Sequence, residues 1–406
     1  MTNSETKNFS QNVSSSYHLG GECSDEYKKD SLNVPKLRFE GYNEEWVEKR
    51  IEKVLKIKHG KDKKAIETQD GRYPILATSG EIGRSNTFLW NKPCVLIGRK
   101  GTINKPQYMD IPFWTVDTLF YSDVFQENNA KYLYYLFNTI NWEKYDESTG
   151  VPSLSAKTIE RIKIKISNNA QEQEKIASFL TLIDKKIEKQ KELVELLKKY
   201  KRGLLSQIFS QKLRFKDENG NNYPDWEEKR LGDICTTFSG GTPSITHQEY
   251  YNGDIPFIKS GEIHSDKTEM FITDIGLKNS SAKLVKKGDL LFALYGATSG
   301  EVDISKINGA INQAILCVKS DTLNLNYLKE LLSYNKNQIL CKYLQGGQGN
   351  LSADIFKALK FKFPIKKEQD KISDFLINYD KITHIEEHLL NLYINYKQGL
   401  LQQLFI

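Results

Sequence analysis

A chain of 406 residues is too long for one ordinary domain and points to two or three. Apolar residues at 39% and charged residues at 27% suit globular cores and exclude wholesale disorder, while a net charge of +6 allows a nucleic-acid partner without demanding one. Five scattered cysteines without a CxxC pair argue against a zinc site or disulfide framework, and with no signal-peptide core and no apolar run near ~18 residues a cytoplasmic protein with reduced thiols is expected.

Residues 1–33, rich in Ser, Asn, Thr and charge, read as a disordered leader. The folded part opens with KLRF at 36–39, then Trp46, then EKR and an aliphatic at 48–51. Residues 49–64 hold eight Lys or Arg against Glu52 and Asp62, which reads either as a solvated surface or as one facing phosphates. SGEI follows at 79–82. CVLIG (Cys94–Gly98) reads as a short strand, with Arg99-Lys100-Gly101 emerging at its end. A helix is predicted over 131–138. LSA at 154–156 leads into IKIKI at 162–166, whose alternation predicts a strand with one buried face. From 169 to 211, Ile176, Leu180, Ile183, Ile187, Val194, Leu197, Leu204 and Ile208 recur at three- and four-residue spacing. They predict a long helix with a nearly heptad seam, which Gln190 and Lys201 interrupt. Leu193, Leu196 and Leu205 widen the stripe, as where a third element also packs. A turn-rich linker over 212–226 closes this half.

The second half repeats the first. KLRF returns at 212–215, Trp226 follows, EKR with an aliphatic stands at 228–231, and SGEI at 260–263. Tyr327-Leu328 answers Tyr132-Leu133, LSA recurs at 351–353, and LKFKF at 359–363 repeats the alternating run. EQEKIASFLTLID (172–184) and EQDKISDFLINYD (368–380) share 7 of 13 residues; YKRGLLSQIF (200–209) and YKQGLLQQLF (396–405) share 7 of 10. The offset grows from 176 at KLRF to 181 at SGEI, 195 at Tyr-Leu and 196 at the end, so the second copy carries about 14 extra residues after SGEI. The ends match and the middles diverge: one scaffold presents two different surfaces. Phe375, Tyr379, Ile382, Leu389, Tyr393, Tyr396, Leu400 and Leu404 predict the seam of the second long helix. Two such stripes are expected to cover one another in an antiparallel coiled coil, with the domains related by a pseudo-twofold axis. The expected fold class is α/β: two mixed α/β domains in tandem, over 34–168 and 227–365, each followed by a long helix, over 169–211 and 366–406.

No catalytic constellation emerges. GxxxxGK[ST], GxGxxG after a strand and the Asn/Asp-Pro-Pro-aromatic motif of adenine methyltransferases are all missing, and Pro224-Asp225 lacks a nuclease's distant second element. His384, Glu387 and His388 spell HxxEH, an inverted zinc-peptidase pattern. They align with 188–192 of the first copy, which has no histidine, so they read as exposed helix residues and no metal site is expected.

From about Pro35 onward the ordered, duplicated motifs resemble the specificity (S) subunit of type I restriction-modification enzymes. P-x-LRF…W opens each repeat. GGTPS (240–244) with GDIPFIKSGEI (253–263) is similar to one type of target-recognition domain, LIGRKGTI…PFWTVDTLF (96–120) to another, and the two helices to the family's spacers. The first repeat lacks GGTPS, so its DNA-facing loop need not match that of the second. The resemblance implies a non-catalytic subunit that reads an asymmetric bipartite site in double-stranded DNA. It implies two methyltransferase subunits bringing S-adenosylmethionine and two restriction subunits bringing ATP and Mg; this chain itself would bind no cofactor.

No residue list transfers from a family whose recognition domains vary, so candidates are long polar side chains near predicted loops. In the first domain these are Lys61, Lys63, Lys64, Arg84, Asn86, Arg99, Lys100, Asn104 and Lys105. In the second they are Lys259, Ser260, Lys267, Tyr295, Thr298, Asn312, Gln313, Gln345, Gln348 and Asn350. The basic run 185–202 reads as a solvated helix face. The alternative is a protein-interaction scaffold on a helix pair, which would show no salt-dependent DNA affinity; a self-contained nuclease or peptidase would need a catalytic cluster.

Overall fold

The computed structural model describes residues 33–343 and 350–406. The expectation for the leader, and the candidates Gln345 and Gln348, lie outside those residues. The chain divides into two compact units. One holds the chain up to Leu180 together with Gly399–Ile406; the other is Thr181–Gln398.

Each unit contains the same scaffold. In the first, the alternating run forms the strand Lys163–Ile166, antiparallel to Val47–Arg50; in the second, Lys360–Phe363 pairs in the same way with Glu227–Arg230. Among the described residues, two four-stranded sheets per unit lie between these strands. One sheet of the first unit runs Leu55–Lys58, Leu119–Val124, Cys94–Gly98, Gln107–Met109; its counterpart runs Thr236–Ser239, Ile315–Lys319, Leu290–Ala293, Val302–Ile304. The other sheets share a core of three strands. Tyr73–Ala77 pairs antiparallel with Gly80–Ser85 and parallel with Trp114–Thr115, as Tyr251–Ile258 does with Phe271–Ile272 and Gly309–Ile311. The fourth strand sits on opposite edges: Glu67–Thr68 joins Gly80–Ser85, whereas Lys283–Val285 joins Gly309–Ile311. The extra residues of the second copy build that strand and the short helix Asp274–Lys278. Both LSA motifs start short helices, because the Ser155 hydroxyl accepts from the Thr158 amide at 3.1 Å and Ser352 from Ile355 at 3.2 Å.

The repeated motifs meet in one buried polar cluster per unit. Arg38 of KLRF forks onto Glu172 at 2.7 and 3.0 Å, and the Trp46 indole donates to the same carboxylate at 3.3 Å. Arg214 forks onto Glu368 at 2.8 and 2.9 Å, with the Trp226 indole at 3.2 Å. The glutamine next in sequence takes over from there. Gln173 accepts from the Asn129 amide at 2.8 Å and Gln369 from the Asn324 amide at 2.9 Å. Asn129 and Asn324 in turn cap the helices that carry the fully buried Tyr132 and Tyr327.

The repeated YKxGLLxQxF ends close the cores crosswise. In the first unit Phe405, from the end of the second long helix, packs on Trp46 at 6.1 Å and Tyr132 at 5.4 Å between centroids. In the second unit Phe209, from the end of the first long helix, packs on Tyr327 at 5.8 Å.

The long helices are Ala170–Phe209 and Lys366–Leu404. They pack together antiparallel. Asp184 pairs with Lys397 at 2.5 Å, Gln190 Nε2 donates to Glu386 Oε2 at 2.6 Å, and Lys201 meets Asp380 at 2.7 Å, so residue numbers fall on one helix as they rise on the other. Gln190 and Lys201 therefore set the register they were expected to interrupt. Two further expectations need correction. Leu193 and Leu196 face solvent rather than a third element. Ile382 and Tyr396 also lie outside the seam, at 51% and 56% exposure, while Ile372 and Leu376 are buried. Part of the basic run 185–202 pairs across the helices, Lys198 with Glu387 at 2.9 Å. His384 and His388 are exposed. Among the described residues, no helix is long and apolar enough to cross a membrane.

Burial pushes the thiols of Cys94 and Cys317 up to about 12 and that of Cys235 up to about 11, whereas Cys341 is exposed. Brief alkylation of the native protein at pH 8, read residue by residue by mass spectrometry, is expected to label Cys341 at least tenfold faster than these three. Comparable labelling of Cys94 and Cys341 would contradict this packing.

Candidate nucleic-acid interface

In both units the same three segments converge at one corner of the scaffold. The first segment follows the strand Leu55–Lys58 or Thr236–Ser239. At Gly60 a Cβ would lie 2.1 Å from the Val116 carbonyl oxygen; at Gly240 it would lie 1.8 Å from that of Ile311. Only glycine permits this approach. Gly60 thus takes, in a first copy without GGTPS, the place Gly240 holds in the second. Beyond it the Lys61 amide donates to the Thr115 carbonyl at 2.8 Å, and the Lys61 carbonyl accepts from the Trp114 indole at 3.0 Å.

The second segment ends the fully buried strand Cys94–Gly98 or its counterpart Leu290–Ala293. The chain turns at Gly101 (φ 84°) and Gly296 (φ 87°), in the left-handed region that favours glycine. The amides of Arg99 and Leu294 donate to the carbonyls of Thr118 and Ala314 at 2.9 and 2.8 Å. Their own carbonyls accept from Leu154 and Leu351, both of LSA, each at 2.9 Å. Lys100 and Tyr295 therefore occupy equivalent positions.

The third segment, 116–118 or 312–314, leaves the parallel strand. The amides of Leu119 and Ile315 close equivalent turns onto the carbonyls of Val116 and Asn312. That places Asp117 and Gln313 in equivalent positions, and their chemistry differs. In the first unit the Arg99 guanidinium donates to the Asp117 carboxylate, with side chains 29% and 65% exposed. In the second, Thr242 of GGTPS donates to Gln313 Oε1 at 2.6 Å. Burial raises the pKa of the Tyr295 hydroxyl.

Comparison with known proteins agrees with this duplicated scaffold. The family model described as the type I restriction modification DNA specificity domain matches residues 43–198 and again 223–392. The chain belongs to this family of type I restriction-modification specificity subunits. It is similar to the type I restriction enzyme MjaVIII specificity subunit of Methanocaldococcus jannaschii, 23% identical over 84% of this chain and 88% of that one. It is 29% identical to the MjaIX specificity subunit of the same organism over 43% of this chain and 44% of that one, less than half of that relative's length. In fold it resembles the type I restriction-modification S subunit from M. genitalium, with a TM-score of 0.63 at 18% identity over 92% and 99% of the two chains.

Of the candidates in this specificity subunit, Lys61, Arg99 and Lys100 come together at the first corner. Tyr295, Asn312, Gln313 and Asn350 come together at the second, Asn350 through the Leu351 amide beside it. Asn312 Oδ1 accepts from the Ala314 amide at 3.1 Å and so shapes the turn. Thr298 lies in the loop after Gly296, its carbonyl accepting from the Glu301 amide. Others form separate groups. Lys63 reaches Glu67 at 2.5 Å and the Ile82 carbonyl at 3.5 Å, and Arg84 holds Glu81 at 2.9 Å and the Gly71 carbonyl at 3.2 Å. Lys64 is exposed, and Asn86 accepts from the Arg72 amide. Asn104 is tied to Glu143 at 3.0 Å, with Lys105 exposed beside it. Lys259 and Ser260 enter a short turn organised by Glu262, and Lys267 is exposed nearby. The basic window 49–64 is not one patch: it spans a paired strand, a helical turn and a second strand, and only its end enters the corner.

The candidate list omitted Asp117 and Thr242. The signal for Asp117 was available. The offset of 196 residues at the chain's end, carried back to TVDTLF (115–120) and INQAIL (311–316), sets Asp117 on Gln313.

Proposed function

We propose that this chain reads an asymmetric, bipartite site in double-stranded DNA and directs adenine methylation and restriction carried out by partner subunits. The observation that carries this reading is a single corner built twice from equivalent backbone, with an Arg–Asp pair in one copy and a Thr–Gln pair in the other. Identical scaffolds would dock in the same manner, and different side chains would read different bases. The chain would act without catalysis of its own, in the cytoplasm. S-adenosylmethionine would belong to two methyltransferase subunits, and ATP and Mg to two restriction subunits. The exposed Leu182, Leu196 and Ile385 of the helix pair support assembly with such subunits.

The test is reconstitution. The purified chain is expected to transfer no methyl group to DNA. Mixed with its methyltransferase partner and S-adenosylmethionine, it is expected to direct methylation to one bipartite motif. Methyl transfer by the chain alone, in a preparation shown free of partner, would overturn the division of labour. A chain whose DNA affinity did not fall with salt would favour the protein scaffold instead.

A further inference from the structure

Resting on that reading, we propose that Asp117 and Gln313 are the equivalent specificity-determining positions of the two domains. Asp117 aims Arg99 at a guanine in one half-site, and Gln313 takes an adenine in the other.

The two positions share their backbone surroundings and differ in what they offer a base edge. Each follows a parallel strand, is fixed by the turn onto Val116 or Asn312, and is followed by a residue, Thr118 or Ala314, whose carbonyl accepts from the amide at the end of a wholly buried strand. A side chain anchored there is preorganised, as discrimination between bases requires. Arg99 is held through its backbone amide on Thr118 and through its guanidinium on Asp117. A guanidinium has five N–H donors, so the carboxylate leaves donors free for guanine O6 and N7. Asp117 is a positioning residue here, and most of its side chain is in solvent.

Gln313 is exposed, and its amide oxygen is held by the Thr242 hydroxyl. The carbonyl oxygen that accepts from Thr242 keeps a second lone pair, and the amide nitrogen carries two hydrogens. Acceptor and donor side by side are what adenine N6 and N7 require. GGTPS gains a function as well. Gly240 lets the loop lie against Ile311, which brings Thr242 to Gln313.

The experiment uses the complex. The wild-type chain and the Arg99→Gln, Asp117→Asn and Gln313→Glu variants are each expressed with the methyltransferase partner in cells free of other adenine methylation, and the methylomes are sequenced. Arg99→Gln and Asp117→Asn are expected to relax one guanine of one half-site, by roughly ten- to a hundredfold for Arg99→Gln and less for Asp117→Asn. Gln313→Glu, now acceptor only, is expected to lose one adenine of the other half-site in favour of cytosine. Each variant should leave the opposite half-site unchanged. A wild-type complex that marks no bipartite motif would sink the proposed function itself. A wild-type motif reproduced base for base by methylating Arg99→Gln and Gln313→Glu variants would overturn this inference alone. Because these side chains lie at the surface, thermal midpoints within about 2 °C of wild type are expected; a variant that fails to fold is replaced by Arg99→Lys or Gln313→Asn, judged by the same motif criterion.

Discussion

Replacing Glu368 with alanine is expected to destabilise the second unit by about 3–5 kcal/mol, the range for removing one partner of a buried ion pair. The Glu368 side chain is fully buried, while Arg214 keeps 22% exposure. Alanine strands the guanidinium and the Trp226 indole, both of which aim at the missing carboxylate. The guanidinium retains its bonds to the carbonyls of Tyr223 and Pro224 at 3.3 and 2.8 Å, which argues for the lower half of the range. Glu368→Gln, which keeps an oxygen for the indole, is expected to cost less. The double variant Arg214→Met with Glu368→Leu is expected to recover part of the loss, because no charge is then left unpaired. Denaturant unfolding followed by circular dichroism measures all three. A loss below about 1 kcal/mol for Glu368→Ala would mean that the cluster is not an anchor. Glu172→Ala should behave alike in the first unit, where the geometry repeats.

This cluster also marks how far the sequence could be read. The duplication, the alternating strands and the long helices were legible because each follows from local periodicity or from matching text. The purpose of the matching text was not. Arg38 and Glu172 are 134 residues apart, and neither periodicity nor propensity says that KLRF must find EQ. The register of the helix pair was hidden for a related reason. Gln190 and Lys201 violate an apolar heptad, yet their polar ends find Glu386 and Asp380, and such pairings fix which turn faces which. On the second helix the heptad was fitted to Ile382 and Tyr396 because apolar residues are abundant there. Burial instead selects Ile372 and Leu376, which point into the core of the second unit. At the interface, strand-end reasoning found Arg99, and the search for polar side chains near loops found Tyr295. It passed over Asp117 because a search for donors to DNA ignores a carboxylate, although the carboxylate is what holds the donor still. GGTPS looked unique to the second copy because five letters were compared, whereas packing requires only the one glycine that Gly60 supplies.

If the scaffold is common to both copies, the interior of one should function in the frame of the other. The two copies can be cut at equivalent places, since the Ile51 amide donates to the Ile162 carbonyl at 3.0 Å and the Leu231 amide to the Leu359 carbonyl at 2.9 Å. Replacing residues 51–162 with a second copy of 231–359 leaves the strand pair Val47–Arg50 and Lys163–Ile166 native. It also leaves Arg38, Trp46 and Glu172 in place. The transplanted interior brings Asn324 to meet Gln173 as it now meets Gln369, and Tyr327 to receive Phe405 as it now receives Phe209. The chimera is expected to fold and, with its methyltransferase partner, to mark a site whose two half-sites have the same sequence, that of the present second half-site. Methylation of the original asymmetric site should fall at least a thousandfold, the lower bound of the gap between specific and non-specific binding. Methylome sequencing reads both outcomes in one experiment. A folded, partner-bound chimera that still marked the original site would show that the interiors do not carry the readout, and the two corners would then lose their claim to the bases.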